Sequence, residues 1–165
     1  MPERIFGHIE DYPEGSAFDS RQHLSQCGIH RPIQAGISGG ADEGADSIVL
    51  SGGYEDDKDF GDAIIYTGHG GQNPATRQHV SDQQLTRQNL ALALNKNLAL
   101  PVRVIRGHTH NSEFSPSAGY RYDGLFYVDN HWIQQGQSGF KVVRFKLIKA
   151  GDPNQLTIDF PSVTD

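Results

Sequence analysis

The sequence lacks the cysteines that would cross-link a fold or hold a metal. Cys27 is the single cysteine among 165 residues, so neither an internal disulfide nor a zinc site with two thiolates can form. Long apolar runs are also missing, and no segment approaches the ~20 residues needed to span a bilayer. Residues 1–15 show no basic start followed by an apolar stretch, as a secretory signal would. These absences predict a cytoplasmic protein.

An excess of positive charge is absent as well. The net charge of −6 argues against a nucleic-acid partner, because lysine and arginine contacts to phosphates supply most of such affinity. The charges are unevenly distributed, however. Residues 1–76 hold 13 acids and 4 bases, whereas residues 77–149 hold 10 bases and 4 acids, which gives local balances of −9 and +6. Such a chain can fold with one basic face, so the net charge does not exclude nucleic acid.

The composition predicts one mainly β domain. The chain is long enough for a single core, and 19 glycines are typical of tight turns and β structure. Only 19–26 and 82–95 have helical patterns, with Asp82 as the N-cap and Asn95 as the end of the second helix. We expect an α+β domain over residues 1–151 and a peripheral tail over 152–165. Strand patterns occur at 47–50, 63–66, 102–106, 124–129 and 140–148.

The last strand pattern alternates apolar and basic residues. Val143, Phe145 and Leu147 alternate with Arg144 and Lys146, as in a strand with one buried and one solvated face. The basic stripe is either a solvated sheet surface or a set of phosphate contacts. Candidate phosphate contacts in the basic half are Arg87, Arg103, Arg106, Lys141, Arg144 and Lys146.

Two glycine-rich segments each carry a tyrosine. Residues 51–57 read SGGYEDD and include Ser51, Gly52, Gly53 and Tyr54, and residues 66–71 read YTGHGG. Two aromatic rings on either side of a slot can hold a flat base by stacking, worth ~1–3 kcal/mol per base. Asp57 could accept a hydrogen bond from the N4 amino group of cytosine, and it would reject thymine. The alternative is that the tyrosines are packing residues and the acids are solvated.

Two enzymatic interpretations compete with a binding slot. His108 and His110 at i and i+2, with Glu113 nearby, could form a divalent-metal site like that of a cupin barrel. That site needs a later histidine in a glycine- and proline-punctuated strand, and His131 lacks this context. Alternatively, Glu55, Asp56, Asp57 and Asp59 with Lys58 could form a magnesium-dependent nuclease site. Neighbouring residues of a strand point to opposite faces, which disfavours such convergence.

Several motifs in register resemble the SRA domain, also called YDG. This methylcytosine-binding module occurs in eukaryotic chromatin proteins and in some bacterial modification-dependent restriction enzymes. The match runs from residue 6 to about residue 149. It consists of 6–9 (FGHI), 28–32 (GIHRP), 35–37 (AGI), 47–57 (SIVLSGGYEDD), 66–68 (YTG), 89–92 (NLAL), 101–106 (PVRVIR), 120–125 (YRYDGL) and 138–140 (SGF).

The resemblance implies a twisted, partly closed β-barrel of SRA/PUA-like type with a few flanking helices. It also implies double-stranded DNA containing 5-methylcytosine as the partner, with the modified base flipped into a pocket. Tyr54 and Tyr66 would stack on the base, Asp57 would accept from N4, and Thr67 would help to read the Watson–Crick edge. His69 stands where the family commonly has a small residue beside the methyl group. Because of this departure, 5-hydroxymethylcytosine stays open as an alternative ligand.

The resemblance further implies two loops that enter the DNA. The first corresponds to 31–35, with Arg31 and with Gln34 at its tip. The second corresponds to 71–80 and includes Arg77. This second loop is shorter than in the chromatin readers that prefer hemimethylated sites, so we expect a loose sequence context.

We therefore predict a methylation reader, without cofactor or metal, that is not itself an enzyme. It is either a free-standing bacterial protein at the nucleoid or the recognition part of a modification-dependent restriction system with a nuclease partner. The start at Met1 and the lack of an obvious linker favour the free-standing form.

Overall fold

The computed structural model describes residues 4–52, 56–73, 75, 76, 79–110 and 112–151. The tail predicted over 152–165 lies outside these residues. Neither helix in the described ranges combines the length and apolarity that a membrane crossing requires. In chain order the elements are β1 (Ala17–Phe18), α1 (Arg21–Gln26), β2 (Ile37–Gly40), β3 (Gly44–Leu50), β4 (Lys58–Asp59), β5 (Ala63–Thr67), α2 (Arg87–Leu98), β6 (Val102–Gly107), β7 (Tyr120–Gln135) and β8 (Lys141–Lys149).

The strands of the described chain form one sheet in the order β2-β3-β6-β7-β8-β5-β4, and β1 pairs with β7 beside this path. β3 and β6 run parallel, and the other pairs are antiparallel. The expected mainly β fold with few helices is confirmed. In the described ranges no ladder joins the edge strands β2 and β4, so hydrogen bonds do not close the sheet into the expected partial barrel.

The sheet buries apolar side chains on both faces. Ile48 and Leu50 of β3 lie in a large cluster beneath α2, whereas Val49 lies in a smaller cluster with Phe18 and Leu24. Successive side chains of a strand point to opposite faces, so a strand buried on both faces is apolar throughout. β3 is buried over its whole length and therefore forms a rigid support for the loops at its ends.

Helix α2 differs from its predicted boundaries. It begins after Thr86, and Ala99 in the left-handed conformation follows its last residue. Asp82, the predicted N-cap, instead accepts the backbone N–H of Lys141 at 2.8 Å. Asn95, the predicted end, is buried inside the helix and exchanges two hydrogen bonds of 2.7 Å with the peptide of Ala45. Both polar residues thus serve tertiary contacts rather than helix ends.

Candidate functional site

Asp57 is held against the end of β5. It directly precedes β4, which pairs antiparallel with β5. Its Oδ1 accepts the backbone N–H of Thr67 at 2.7 Å. The side chain is partly buried, whereas Thr67 is fully buried. The predicted base-reading residues Asp57 and Thr67 therefore lie in contact, and the carboxylate has a fixed orientation.

The environment of Asp57 makes its charge sensitive to pH near neutrality. Burial raises the pKa of this carboxyl to about 7. Hydrogen bonds from Thr67 and the positive fields of His110 and Arg144 oppose the effect of burial and lower the pKa. A carboxylate has about four lone-pair positions, so the contacts with Thr67 leave capacity for a donor on a ligand. Such a donor would favour the charged form.

The raised pKa of Asp57 predicts a pH-dependent gain in stability for Asp57→Asn. The folded pKa of about 7 exceeds the ordinary value of 3.8, so folding disfavours the charged form. The wild type therefore loses stability as the pH rises from about 4 to about 7, whereas asparagine does not titrate. The difference in unfolding free energy, variant minus wild type, should grow across this range and then level off.

Urea unfolding of both proteins at closely spaced pH values measures this difference. His30, whose pKa burial lowers to about 4, titrates in the same range but is present in both proteins and cancels. Asp42→Asn makes the same substitution at an exposed position between β2 and β3 and is the matched control. A flat difference for Asp57→Asn would contradict the assignment.

Tyr66 forms part of the core. It is 4% exposed and lies in the large apolar cluster. Its hydroxyl donates to the carbonyls of Gly36 at 3.2 Å and Val49 at 3.4 Å. Any Cβ at position 36 would stand 2.7 Å from this hydroxyl, so the close approach requires glycine. Tyr66 is thus a packing residue, which agrees with the alternative interpretation from the sequence. If its ring also stacks on a base, it does so as a rigid wall.

Two buried amides fix the loop that follows β5. Asn89 of α2 accepts the N–H of His69 at 2.9 Å and donates to its carbonyl at 3.0 Å. Gln83 donates to the carbonyls of Gly68 at 2.6 Å and Gly70 at 3.1 Å. A Cβ at position 68 would stand 2.5 Å from Asn89 Oδ1. The 67–70 backbone is thus held rigidly beside Asp57.

Sequence reasoning missed Gln83 and Asn89 as contributors to the site. A signal for Asn89 was present, because it lies three residues before Leu92 and therefore on the buried face of α2. A polar residue on such a face must satisfy its hydrogen bonds within the protein. Gln83 precedes the helix and carries no comparable pattern.

The first glycine-rich segment is described only in part. Ser51 is half-buried, its carbonyl accepts the hydroxyl of Thr109 at 2.7 Å, and Gly52 is exposed. Gly53, Tyr54 and Glu55 lie outside the described residues. The second wall of the predicted slot therefore stays a prediction.

Three of the six predicted phosphate contacts are buried. Arg103 is 1% exposed, pairs with Asp46 at 2.7 Å and donates to backbone carbonyls. Arg144 is fully buried and donates to the carbonyl of Asp56 at 2.8 Å. Arg106 donates to Asp59 and Asp123 at 2.7–2.9 Å. A buried guanidinium cannot meet a phosphate without breaking these contacts, so all three leave the candidate set.

The predicted solvated stripe of β8 is wrong at Arg144, because both faces of the strand are covered there. Lys146 is half-buried, and its Nζ lies 3.4 Å from Asp129. Arg87 and Lys141 are exposed. These three residues are the remaining candidates for phosphate contacts.

The histidines and acids do not form the alternative catalytic sites. His108 is exposed, whereas His110 is buried with Nε2 2.9 Å from Asp59, so the two do not share a face. They follow β6 in a turn rather than lying on a strand. Glu113 is exposed, and no three His, Cys, Asp or Glu side chains converge within the described ranges.

The acids at 56–59 face different partners. Asp56 accepts the N–H of Gln137 at 3.0 Å, and Asp57 accepts that of Thr67. Asp59 binds Arg106 and His110; burial acts to raise the pKa of Asp59, but these hydrogen bonds outweigh it and hold the value at about 2. These three carboxylates do not converge on one magnesium position.

Of the two predicted DNA-entering loops, the first is fully described. Gln34 is exposed and Arg31 is half-buried. In the second loop Arg77 lies outside the described residues, as do Pro74 and Gln78. An isolated bridge joins Gln72 to His79 at the base of this loop.

Comparisons with known proteins give a consistent family. The model of the SAD/SRA domain matches residues 5–153. The E3 ubiquitin-protein ligase UHRF1 of Danio rerio is 41% identical over 174 residues, which cover 92% of this chain and 22% of the relative. The chain thus spans about a fifth of the length of that protein.

Solved structures agree with this family. A modification-dependent TagI restriction endonuclease is 50% identical with a TM-score of 0.88, covering 91% of this chain and 54% of its own. The SRA domain of SUVH5 bound to fully hydroxymethylated CG DNA is 41% identical with a TM-score of 0.77, covering 90% and 97%. The SUVH5 domain has also been solved with methylated CHH DNA and hemimethylated CG DNA.

Proposed function

The chain belongs to the SAD/SRA domain family, and we propose on this basis that it is a reader of 5-methylcytosine in double-stranded DNA. The observation that carries the proposal is the carboxylate of Asp57, fixed by Thr67 at the end of β5. The modified base leaves the helix and enters the site beside this carboxylate. Flipping is necessary because the pairing edge of a stacked base is occupied by its partner.

Asp57 provides the selectivity for cytosine. The N4 amino group donates to the carboxylate, whereas O4 of thymine would face it acceptor to acceptor. Tyr66 forms one wall for the base, and Tyr54 forms the other. Ser51, Gly52 and Gly53 supply the backbone of the slot, while Thr67 contributes to reading the pairing edge.

His69 sets the space beside the 5-substituent of the base. Asn89 hydrogen-bonds both the N–H and the carbonyl of His69, so the backbone position of this residue is fixed. Burial lowers the pKa of the His69 imidazole, with a further contribution from Arg87. The neutral ring can donate to or accept from a hydroxymethyl group. We therefore include 5-hydroxymethylcytosine among the proposed ligands, as in one SUVH5 complex.

Two loops and a few cations complete the proposed DNA contacts. The loop with Arg31 and Gln34 enters from one side of the base, and the loop with Arg77 enters from the other. Arg87, Lys141 and Lys146 contact phosphates, which carry no sequence information.

We expect tighter binding to a duplex with one 5-methylcytosine than to the same unmodified duplex. Burial of the methyl group alone contributes ~1 kcal/mol, and easier flipping adds to this. Titration of matched duplexes by fluorescence anisotropy, at several salt concentrations, measures the difference. Equal affinities at every salt concentration would refute the proposed function.

The same titrations locate the phosphate contacts. Lys141→Ala should reduce the slope of log affinity against log salt by about one, equally for modified and unmodified duplexes. Lys149→Ala is the matched control, because Lys149 pairs with Glu14 at 2.5 Å. The preference for the modified duplex and the position of the phosphate contacts are tested separately, because an unchanged slope in Lys141→Ala would refute only its phosphate contact.

A second function concerns the whole protein rather than this domain. The similarity to the TagI endonuclease, of which the chain covers about half, favours the recognition part of a modification-dependent restriction system. At the level of this domain we propose binding without catalysis. In a bacterial cell such a protein would act at the nucleoid, in the cytoplasm. Incubation with methylated plasmid and Mg²⁺, alone and with proteins that co-purify with it, separates a reader from a restriction subunit.

A further inference from the structure

The segment 31–36, here called the 31–36 loop, combines an exposed outer side with a tightly held inner side. Ile33 is 51% exposed, and the neighbouring Gln34 and Ala35 are exposed as well. A loop with these side chains would ordinarily sample many conformations. In this protein, however, its backbone carbonyls point inward to fixed donors.

Arg21, the first residue of α1, supplies most of these donors. Its Nη2 donates to the carbonyls of Pro32 at 2.9 Å and Ala35 at 2.6 Å, and Nη1 donates to that of Gln34 at 3.4 Å. A planar guanidinium presents its donors in a fixed geometry, and a charged donor roughly doubles the strength of a hydrogen bond. One side chain thus holds three of the loop's carbonyls.

His30 reinforces this arrangement from the start of the loop. The ring is fully buried, with Nε2 2.8 Å from the carbonyl of Ala35 and Nδ1 2.7 Å from Ser47 Oγ. Burial lowers the pKa of His30 to about 4, so the ring is neutral at pH 7. A carbonyl can only accept, so Nε2 carries the proton and Nδ1 accepts from the Ser47 hydroxyl.

The far end of the loop is joined to the proposed base site. The carbonyl of Gly36 accepts the hydroxyl of Tyr66 at 3.2 Å and the N–H of Val49 at 2.8 Å. Tyr66 lies next to Thr67, which binds Asp57. The loop and the proposed wall of the slot therefore share one hydrogen-bonded framework.

We propose that Arg21 is the positioning residue of the 31–36 loop and holds it in fixed register with Tyr66. Ile33 and Gln34 are thereby presented, already ordered, to the gap that a flipped base leaves in the duplex. This inference rests on the proposed reader function. Ordering a loop during binding costs affinity, so a loop ordered beforehand slows dissociation from the flipped complex.

The test compares Arg21→Met, Arg21→Lys and wild type on two duplexes. In one, 5-methylcytosine pairs with guanine. In the other it stands opposite an abasic site, so it leaves the helix without breaking a base pair and its flipped state depends less on a loop that fills the gap. Arg21→Met should weaken binding to the paired duplex about tenfold, mainly through faster dissociation, and should affect the abasic duplex much less. Lysine restores the charge without the planar fork and should recover only part of the loss.

Arg4→Met is the matched control. Arg4 pairs with Glu43 and Asp46, and none of its hydrogen bonds reaches the 31–36 loop, so its loss should leave the ratio between the two duplexes unchanged. Amide hydrogen exchange of the free proteins gives an independent measurement. Exchange within 33–35 should be faster in Arg21→Met and unchanged in Arg4→Met.

The outcomes separate the two proposals. A wild type without preference for the modified duplex would overturn the reader function. A wild type with that preference, but with an Arg21→Met variant that loses affinity equally on both duplexes or retains slow exchange in the loop, would overturn only the role of Arg21.

Discussion

Replacing Asp57 by asparagine is expected to abolish the preference for modified cytosine while the domain stays folded. The asparagine oxygen can still accept the N–H of Thr67, which lies 2.7 Å from Asp57 Oδ1. Its amide nitrogen then faces the ligand as a donor, opposite the donor N4 of cytosine. Hydrogen bonds to charged groups contribute about 1.5–3 kcal/mol. We therefore expect the affinity for the duplex with 5-methylcytosine to fall about 10-fold to 150-fold.

Matched duplexes with 5-methylcytosine, cytosine or thymine at one position measure the effect. The asparagine donor matches O4 of thymine, so the variant should shift its relative preference toward thymine. Asp42→Asn, exposed and distant in sequence from this site, should bind as the wild type does. Full discrimination by a folded Asp57→Asn protein would show that another group reads the base. Asp57→Ala is a harsher change, because it also leaves the N–H of Thr67 without this acceptor.

Replacing Arg103 by methionine is expected to lower the free energy of unfolding by about 3–5 kcal/mol. Arg103 pairs with Asp46 at 2.7 Å and donates to the carbonyls of Ile5, Gly7 and Ile29 at 2.7–3.0 Å. Both charged side chains are 1% exposed. Methionine fills much of the volume of the arginine side chain. Asp46 keeps its ion pair with Arg4, but the three carbonyls lose the guanidinium as a donor.

Denaturant unfolding measures this loss, with Arg87→Met as the control. Arg87 is exposed, so the same substitution there should change stability by no more than about 0.5 kcal/mol. In DNA binding the order of the two effects should reverse. Arg87→Met should reduce the salt dependence of the affinity, whereas Arg103→Met should not. A stable Arg103→Met protein with a reduced salt slope would return Arg103 to the phosphate-binding face.

The strands that the sequence predicts are those with a recurring or alternating apolar pattern. β3, β5, β6 and β8 follow their predicted positions to within a few residues. β2 reads Ile-Ser-Gly-Gly and has no alternation, while β1 and β4 are two residues long and owe their assignment to their partners. The second half of β7 is largely polar, and its ladder with β8 makes it a strand. Pairing between distant segments leaves no local pattern to find.

Within the candidate site, the order of residues was more informative than their charge. The motifs around Asp57 and Tyr66 led to residues that share one hairpin, because β4 pairs with β5. The arginines were misassigned, because a basic residue in a strand resembles a surface residue until its partner is known. Asp46, the partner of Arg103, lies 57 residues earlier in the chain. Burial of such a pair depends on the parallel ladder between β3 and β6, which no local window contains.

The pairing of β5 with β8 determines when this site can form during translation. Thr67 lies opposite Arg144, which the ribosome adds 77 residues later, and Gly68 donates to the carbonyl of Val143 at 2.8 Å. At 5–20 residues per second, this interval lasts roughly 4–15 s. Until β8 emerges, β5 presents one unpaired edge, and the segment that carries Asp57 packs against an incomplete sheet. A nascent chain therefore gains its proposed ability to hold a base only after β8 has emerged, and a pause before β8 would prolong the period in which that edge is open to misassociation.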